Sequence, residues 1–194
     1  MQVVRRQLAG TPQDERLGEV LREVGRLEGR LRGLLEFSAP FEMSLAESDL
    51  RAVVEGLGKI ITPSAEAVGV TVEGRVPRHG VVRRIDERYL EEALHELCTN
   101  ALRAMPEGGR LALSVEDDDG TTTLRVADTG RGIPSGLRPQ VFDLFFTANA
   151  EGNGIGLATV RRVVEAQGGT VRIERSDATG TVFAIRFGPA EGDS

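Results

Sequence analysis

A break at Ser38-Ala39-Pro40 divides the chain into two patterns that one repeating structure cannot accommodate. Before the break, apolar residues fall at Leu17, Val20, Val24, Leu27, Leu31 and Leu34, spaced alternately by three and four. That spacing is the seam of a coiled coil or helix bundle. Thr11 reads as the N-cap, Pro12 as the first helical residue and Asp14 as a capping acid, with the helix running to about Phe37. A short helical piece, Val3 to Leu8, precedes it and stops at Gly10. The seam fits a helix packed on its own domain or part of a hairpin that dimerises into a bundle, and the regular spacing favours the bundle. Gly18, Gly25, Gly29 and Gly33 interrupt it, each costing about 1 kcal/mol against Ala, with no reason visible in the sequence.

After the break the period changes. A strand is expected over residues 42–45, then a helix over about 49–68 containing Pro63, then alternating strands over 70–76 and 81–85. Asp86 should cap a helix running to about Met105. Strands over 111–115 and 122–127 flank the turn Asp117-Asp118-Asp119-Gly120, and strands over 170–175 and 181–187 flank Asp177-Ala178-Thr179-Gly180. Between these pairs lie an irregular glycine-rich stretch and a helix over about 155–166. Three helices and six or seven strands, many joined as hairpins, predict an α+β fold: a two-layer sandwich with helices on a mixed, mostly antiparallel sheet. The expected division is residues 1–40 as helical segment and 41–194 as core domain.

Composition narrows the partners. The net charge of −6 argues against a general nucleic-acid role, as do one Tyr and no Trp, which rule against a base-stacking platform. A pooled charge does not exclude a local phosphate site. Of 24 basic residues only Lys59 is lysine, so arginine must serve any phosphate ligand. No apolar run approaches the ~20 residues of a membrane helix, and no signal sequence opens the chain. The single Cys98 forms no internal disulfide framework and fits a reducing, cytoplasmic setting.

Three constellations carry chemistry. Glu96, Asn100 and Arg103 share one face of the Asp86-capped helix, where an acid, an amide oxygen and a guanidinium suit a water, a magnesium ion and a phosphate. Read alone, they also suit a solvated face. Asp128 leaves a strand into Thr129-Gly130-Arg131-Gly132-Ile133-Pro134, which allows a carboxylate in a pocket and close backbone approach to a ligand, or simply an acidic turn. Gly152-Asn153-Gly154-Ile155-Gly156-Leu157 runs into a helix, offering backbone N–H groups and a helix dipole to phosphate. It is neither a dinucleotide fingerprint nor a Walker A loop, since the glycine spacing differs and no Gly-Lys-Ser/Thr occurs.

The order Glu-xxx-Asn, Asp-x-Gly-x-Gly, Val141-Phe142-Asp143-Leu144-Phe145-Phe146-Thr147 and Gly-x-Gly-x-Gly resembles the N, G1, F and G2 boxes. These mark the Bergerat ATP-binding fold of sensor histidine kinases, gyrase-type topoisomerases, heat-shock chaperones and mismatch-repair ATPases. Leu-Leu-Glu-Phe-Ser-Ala-Pro, ending at Pro40, resembles the end of the second dimerisation helix of histidine kinases. The resemblance implies a catalytic domain that binds ATP and Mg²⁺ and moves the γ-phosphoryl group to a histidine. It implies ATP/ADP, a homodimer formed through the helices and a response regulator as partners. Asn100 would hold Mg²⁺, Arg103 a phosphate, and Asp128 the adenine amine, with Gly130, Gly132 and Ile133 shaping the pocket. Phe142 and Thr147 belong to the F box. Gly152, Asn153, Gly154, Ile155, Gly156 and Leu157 would form the phosphate loop, and Thr181 would support adenine through water. Residues 136–153 would form a lid.

Three departures stand out. No histidine lies in Gln2 to Leu8, the only trace of a first dimerisation helix; His79 sits in a turn and His95 in the N box. The phosphoacceptor is therefore expected upstream of Met1, this chain should not phosphorylate itself, and it should be a weak dimer or a monomer. Glu96 stands where many of these kinases carry Asn, and resembles the general base of ATP-hydrolysing relatives. Ala148-Asn149-Ala150-Glu151 lacks the lysine that often follows the F box, which shifts weight to Arg103. An ATPase or serine kinase of the same fold, and a nucleotide-binding module without turnover, remain as alternatives.

Overall fold

The computed structural model describes residues 12–147 and 152–188. The expected helical piece at Val3 to Leu8 and the Thr11 cap lie outside the described residues. Helix α1 spans Pro12–Ser38. The middle of its seam faces outward: Val20, Val24, Leu27 and Leu31 are 57, 44, 49 and 62% exposed. Near its C-terminal end the helix meets the core domain, with Arg162 over the Phe37 ring and Gly33 against the start of the last helix. Gly33 is buried, and a Cβ there would strike Cδ1 of Ile155, just ahead of the last helix. Nothing lies within 4 Å of a Cβ built on Gly25 or Gly29, and no feature of the fold explains those two.

Strand β1 is Ala46–Asp49, not residues 42–45 as the sequence suggests. The reason lies at Ser44, whose amide donates to Asp86 Oδ2 (2.8 Å), so ladder pairing starts only at Ala46. Helix α2 (Leu50–Glu66) is capped by Asp49, whose side chain accepts from the Arg51 amide. Strand β2 (Val70–Arg75) follows, then β3 (Val82–Ile85), which pairs antiparallel with β1 as a two-stranded ribbon. Helix α3 (Glu87–Ala104) carries the expected Asp86 cap. Strands β4 (Gly109–Asp118) and β5 (Thr121–Asp128), helix α4 (Gly156–Ala166), and strands β6 (Gly169–Asp177) and β7 (Gly180–Phe187) complete the fold.

The main sheet runs β2-β4-β5-β7-β6, with β2 parallel to β4 and all other neighbours antiparallel. Helices α2, α3 and α4 form the second layer. Leu90, Ala93, Leu94, Leu97, Cys98 and Ala101 are the buried face of α3, and Leu111, Leu113, Val115, Leu124, Val126 and Ile185 rise from the strands beneath. The architecture is the α+β two-layer sandwich read from the sequence. Burial pushes the Cys98 thiol up to about 12, so it behaves as a small apolar side chain.

Candidate functional site

The face of α3 opposite the core borders a cavity of about 640 Å³ between α3, the end of β5, the start of α4 and the loops joining them. Its wall includes Glu96, Asn100, Arg103, Asp128, Gly132, Ile133, Thr147, Gly152, Asn153, Gly154, Gly156, Leu157 and Thr181. Residues from all three sequence constellations and from the F box thus reach one space. Three expected residues do not line it. Gly130 packs against α3, where a Cβ would come within 2.6 Å of the Ala104 carbonyl. Phe142 is buried edge-on against Phe183, centroids 6.1 Å apart. Ile155 is buried and faces Gly33. Each supports the wall from behind. Arg131, Leu137, Val141, Phe146 and Phe183 line the cavity as well, although their local sequence does not single them out as site residues. Arg131 falls inside the Asp128 motif, and Val141 and Phe146 inside the Phe-rich segment, which are the signals that could have found them; Leu137 and Phe183 carry none.

At the closed end, Asp128 is the last residue of β5 and is 6% exposed. Its Oδ1 accepts from the amides of Gly130 (2.8 Å) and Thr181 (3.2 Å). No described group bonds Oδ2. Burial raises its pKa, and the two amide bonds act in the opposite direction. Gly180 lets β7 lie this close, since a Cβ there would overlap the Asp128 carbonyl and its φ is +132°. A buried carboxylate with one oxygen committed and one facing a cavity is an acceptor awaiting a donor.

At the other end, α3 places Glu96 and Asn100 one turn apart, and Asn100 Nδ2 donates to Glu96 Oε1 (3.2 Å). This leaves the Asn100 amide oxygen as a hard ligand. The first residue of α4, Gly156, sits on Glu96: a Cβ there would collide with the carboxylate. The unsatisfied N–H groups of the α4 start therefore border the cavity beside Glu96 and Asn100. Asn153 Oδ1 accepts from the Ile155 amide (3.1 Å), and Gly154, at φ +71°, accepts the Phe145 amide through its carbonyl (2.7 Å). That bond ties the middle of the expected lid to the residue just after it, and residues 148–151 between them lie outside the described residues. Arg103 and Arg131 supply the cationic side chains of the wall, and no described carboxylate pairs with either. His79 and His95 are exposed and outside the cavity wall.

Comparison with known proteins places this geometry. Residues 85–191, over half of the chain, match the family described as histidine kinase-, DNA gyrase B-, and HSP90-like ATPase. The chain is 26% identical over 186 residues to the signal transduction histidine-protein kinase AtoS of Escherichia coli K12, covering 95% of this chain and 31% of AtoS. It is 35% identical over 148 residues to the sensor protein DivL of Caulobacter vibrioides, covering 75% of this chain and 19% of DivL. The chain thus spans less than a third of either relative. Among solved structures, full-length ShkA in complex with AMPPNP superposes with a TM-score of 0.71 at 28% identity, over 91% of this chain and 39% of ShkA. The mycobacterial sensor histidine kinase MprB superposes with a TM-score of 0.65 at 27% identity, over 74% of this chain and 97% of that one.

Proposed function

Because the chain belongs to the family of histidine kinase-, DNA gyrase B- and HSP90-like ATPases, we propose that it is the ATP–Mg²⁺-binding catalytic domain of a two-component sensor histidine kinase. The observation that carries the reading is the cavity itself, with an unpaired carboxylate oxygen at its closed end and a helix N-terminus, an amide oxygen and an arginine at the other. These are complementary to the two ends of a nucleoside triphosphate. Asp128 accepts the adenine amine, and Gly132, Ile133 and Thr181 border the base. Asn100 supplies a magnesium ligand. Among the described residues no group of three His, Cys, Asp or Glu could hold a metal, so Asn100 would hold the ion together with phosphate and water. Magnesium held there would neutralise charge on the phosphates of ATP, whose γ-phosphorus is the electrophile.

The chain's own residues then position and move protons. The α4 N-terminus, with Gly152, Gly154 and Gly156, gives N–H groups to phosphate oxygens, and Arg103 adds a positive charge. Glu96, held by the Asn100 amide, is placed to accept or orient the proton of an attacking imidazole. The acceptor histidine is one that this chain lacks at the usual place, and it is supplied by another segment or subunit. Residues 1–40 belong to part of a dimerisation segment and 41–194 to the catalytic domain; the exposed positions of the α1 seam support a homodimer in the complete protein. A response regulator receives the phosphoryl group, by likeness to relatives named as sensor kinases. The setting is cytoplasmic, and no described helix is long and apolar enough to cross a membrane. The second reading, ATP hydrolysis, is favoured only by the carboxylate at Glu96.

The test is transfer of label from γ-labelled ATP to an added dimerisation domain that bears a histidine. Acid-labile, base-stable label on that domain is the expected result. Free phosphate alone, at the same rate with or without the domain, would establish an ATPase instead.

A further inference from the structure

Resting on the adenine-nucleotide reading above, we propose that Ser176, which does not line the cavity, fixes the direction of the hydrogen bonds in the base recess and thereby selects adenine over guanine. Ser176 and Thr181 are cross-strand neighbours on β6 and β7, each 3% exposed, with Oγ and Oγ1 3.0 Å apart. Ser176 Oγ also receives the Ile133 amide at 2.8 Å. An amide N–H only donates, so that bond has one direction.

The serine hydroxyl carries a single hydrogen. Apart from Thr181 Oγ1, no described atom accepts it. If Thr181 donated to Ser176, the buried serine hydrogen would be left without an acceptor, which is costly away from water. Ser176 therefore donates to Thr181. The relay runs from the Ile133 amide to Ser176 to Thr181, and it leaves the threonine's own hydrogen for the cavity that Thr181 lines.

Asp128 stands beside it, with Oδ1 taken by two amides and Oδ2 free. The recess thus presents an acceptor next to a donor. Adenine's edge offers the complement, an exocyclic amine next to an unprotonated ring nitrogen. Guanine offers a carbonyl next to a protonated nitrogen, reversed at both positions, and would bury two opposed polar pairs. Ser176 is a positioning residue, acting on the base only through Thr181.

The test is calorimetric titration of Ser176→Ala, Thr181→Val, the double variant and the unmodified chain with the imidotriphosphates of adenosine and guanosine. In Ser176→Ala the threonine hydroxyl can turn either way, and the adenine preference should shrink about 5- to 10-fold, the effect of one hydrogen bond. Thr181→Val should shrink it comparably, with no further loss in the double variant. Ser176→Thr, which keeps a hydroxyl, should retain the preference. Equal weakening of both nucleotides, or an unchanged ratio in folded Ser176→Ala, would overturn the role of Ser176. If Ser176→Ala does not fold, an unchanged ratio in Thr181→Val would overturn it. Failure of the unmodified chain to bind either nucleotide would overturn the adenine reading itself, and this inference with it.

Discussion

Replacing Asp128 by Asn changes one oxygen for an amine and removes one charge, and the two consequences pull in opposite directions. Oδ1 of the new amide can keep the bonds from Gly130 and Thr181, so the loop stays tied to β7. The cavity-facing atom becomes a donor where adenine also brings a donor. A hydrogen bond to a charged group is lost, about 1.5–3 kcal/mol, which weakens adenine nucleotide binding roughly 10- to 150-fold. Stability moves the other way. Burial raises the Asp128 pKa above the ordinary 3.8, so folding favours the protonated acid and the ionised form costs stability near neutrality. As pH falls through the raised value, the proton is taken up and that cost disappears. Asp128→Asn should therefore be at least as stable as the parent at pH 7, and its advantage should shrink toward pH 4. Urea unfolding at the two pH values, beside calorimetric titration with an ATP analogue, measures both halves. Binding within threefold of the parent would refute the base contact. A variant less stable at pH 7 than at pH 4, relative to the parent, would refute the desolvation argument.

Further predictions concern the phosphate end and α1. Glu96→Gln keeps a hydrogen-bond acceptor for Asn100, so nucleotide affinity should hold while phosphoryl transfer falls about 10²- to 10⁴-fold; equal loss of both would make Glu96 a binding residue. Arg103→Ala should weaken ATP about tenfold while leaving adenosine unchanged, the share of a charge-assisted contact; unaltered ATP affinity and turnover would remove Arg103 from the phosphate site. Gly25→Ala should stabilise α1 by about 1 kcal/mol, because its Cβ meets nothing. Gly33→Ala should not, since its Cβ meets Ile155, and calorimetric melting of the two variants gives the comparison.

What the chain alone makes legible is local. Apolar spacing assigns the faces of α3, and that spacing by itself sets Glu96, Asn100 and Arg103 on one side of the helix. The Asp86 cap and the two acidic hairpin turns follow from residue chemistry within a few positions. The failures involve distant partners. The start of β1 depends on an Asp86 carboxylate that captures the Ser44 amide, and nothing near Ser44 announces it. Phe142 is apolar, a type that suits a base pocket or a core equally; its packing against Phe183 decides for the core. Gly33 is explained only by Ile155, which lies across from it and more than a hundred residues along the chain. Ser176 falls between the expected strand and its turn, with nothing to mark it, until the β6–β7 register sets it opposite Thr181.

The most direct test of the central claim is calorimetric titration of the chain with a non-hydrolysable ATP analogue, with and without Mg²⁺. The site predicts saturable binding of one nucleotide per chain, strengthened by magnesium through Asn100 and the phosphates. No binding at millimolar nucleotide, in either condition, would contradict it.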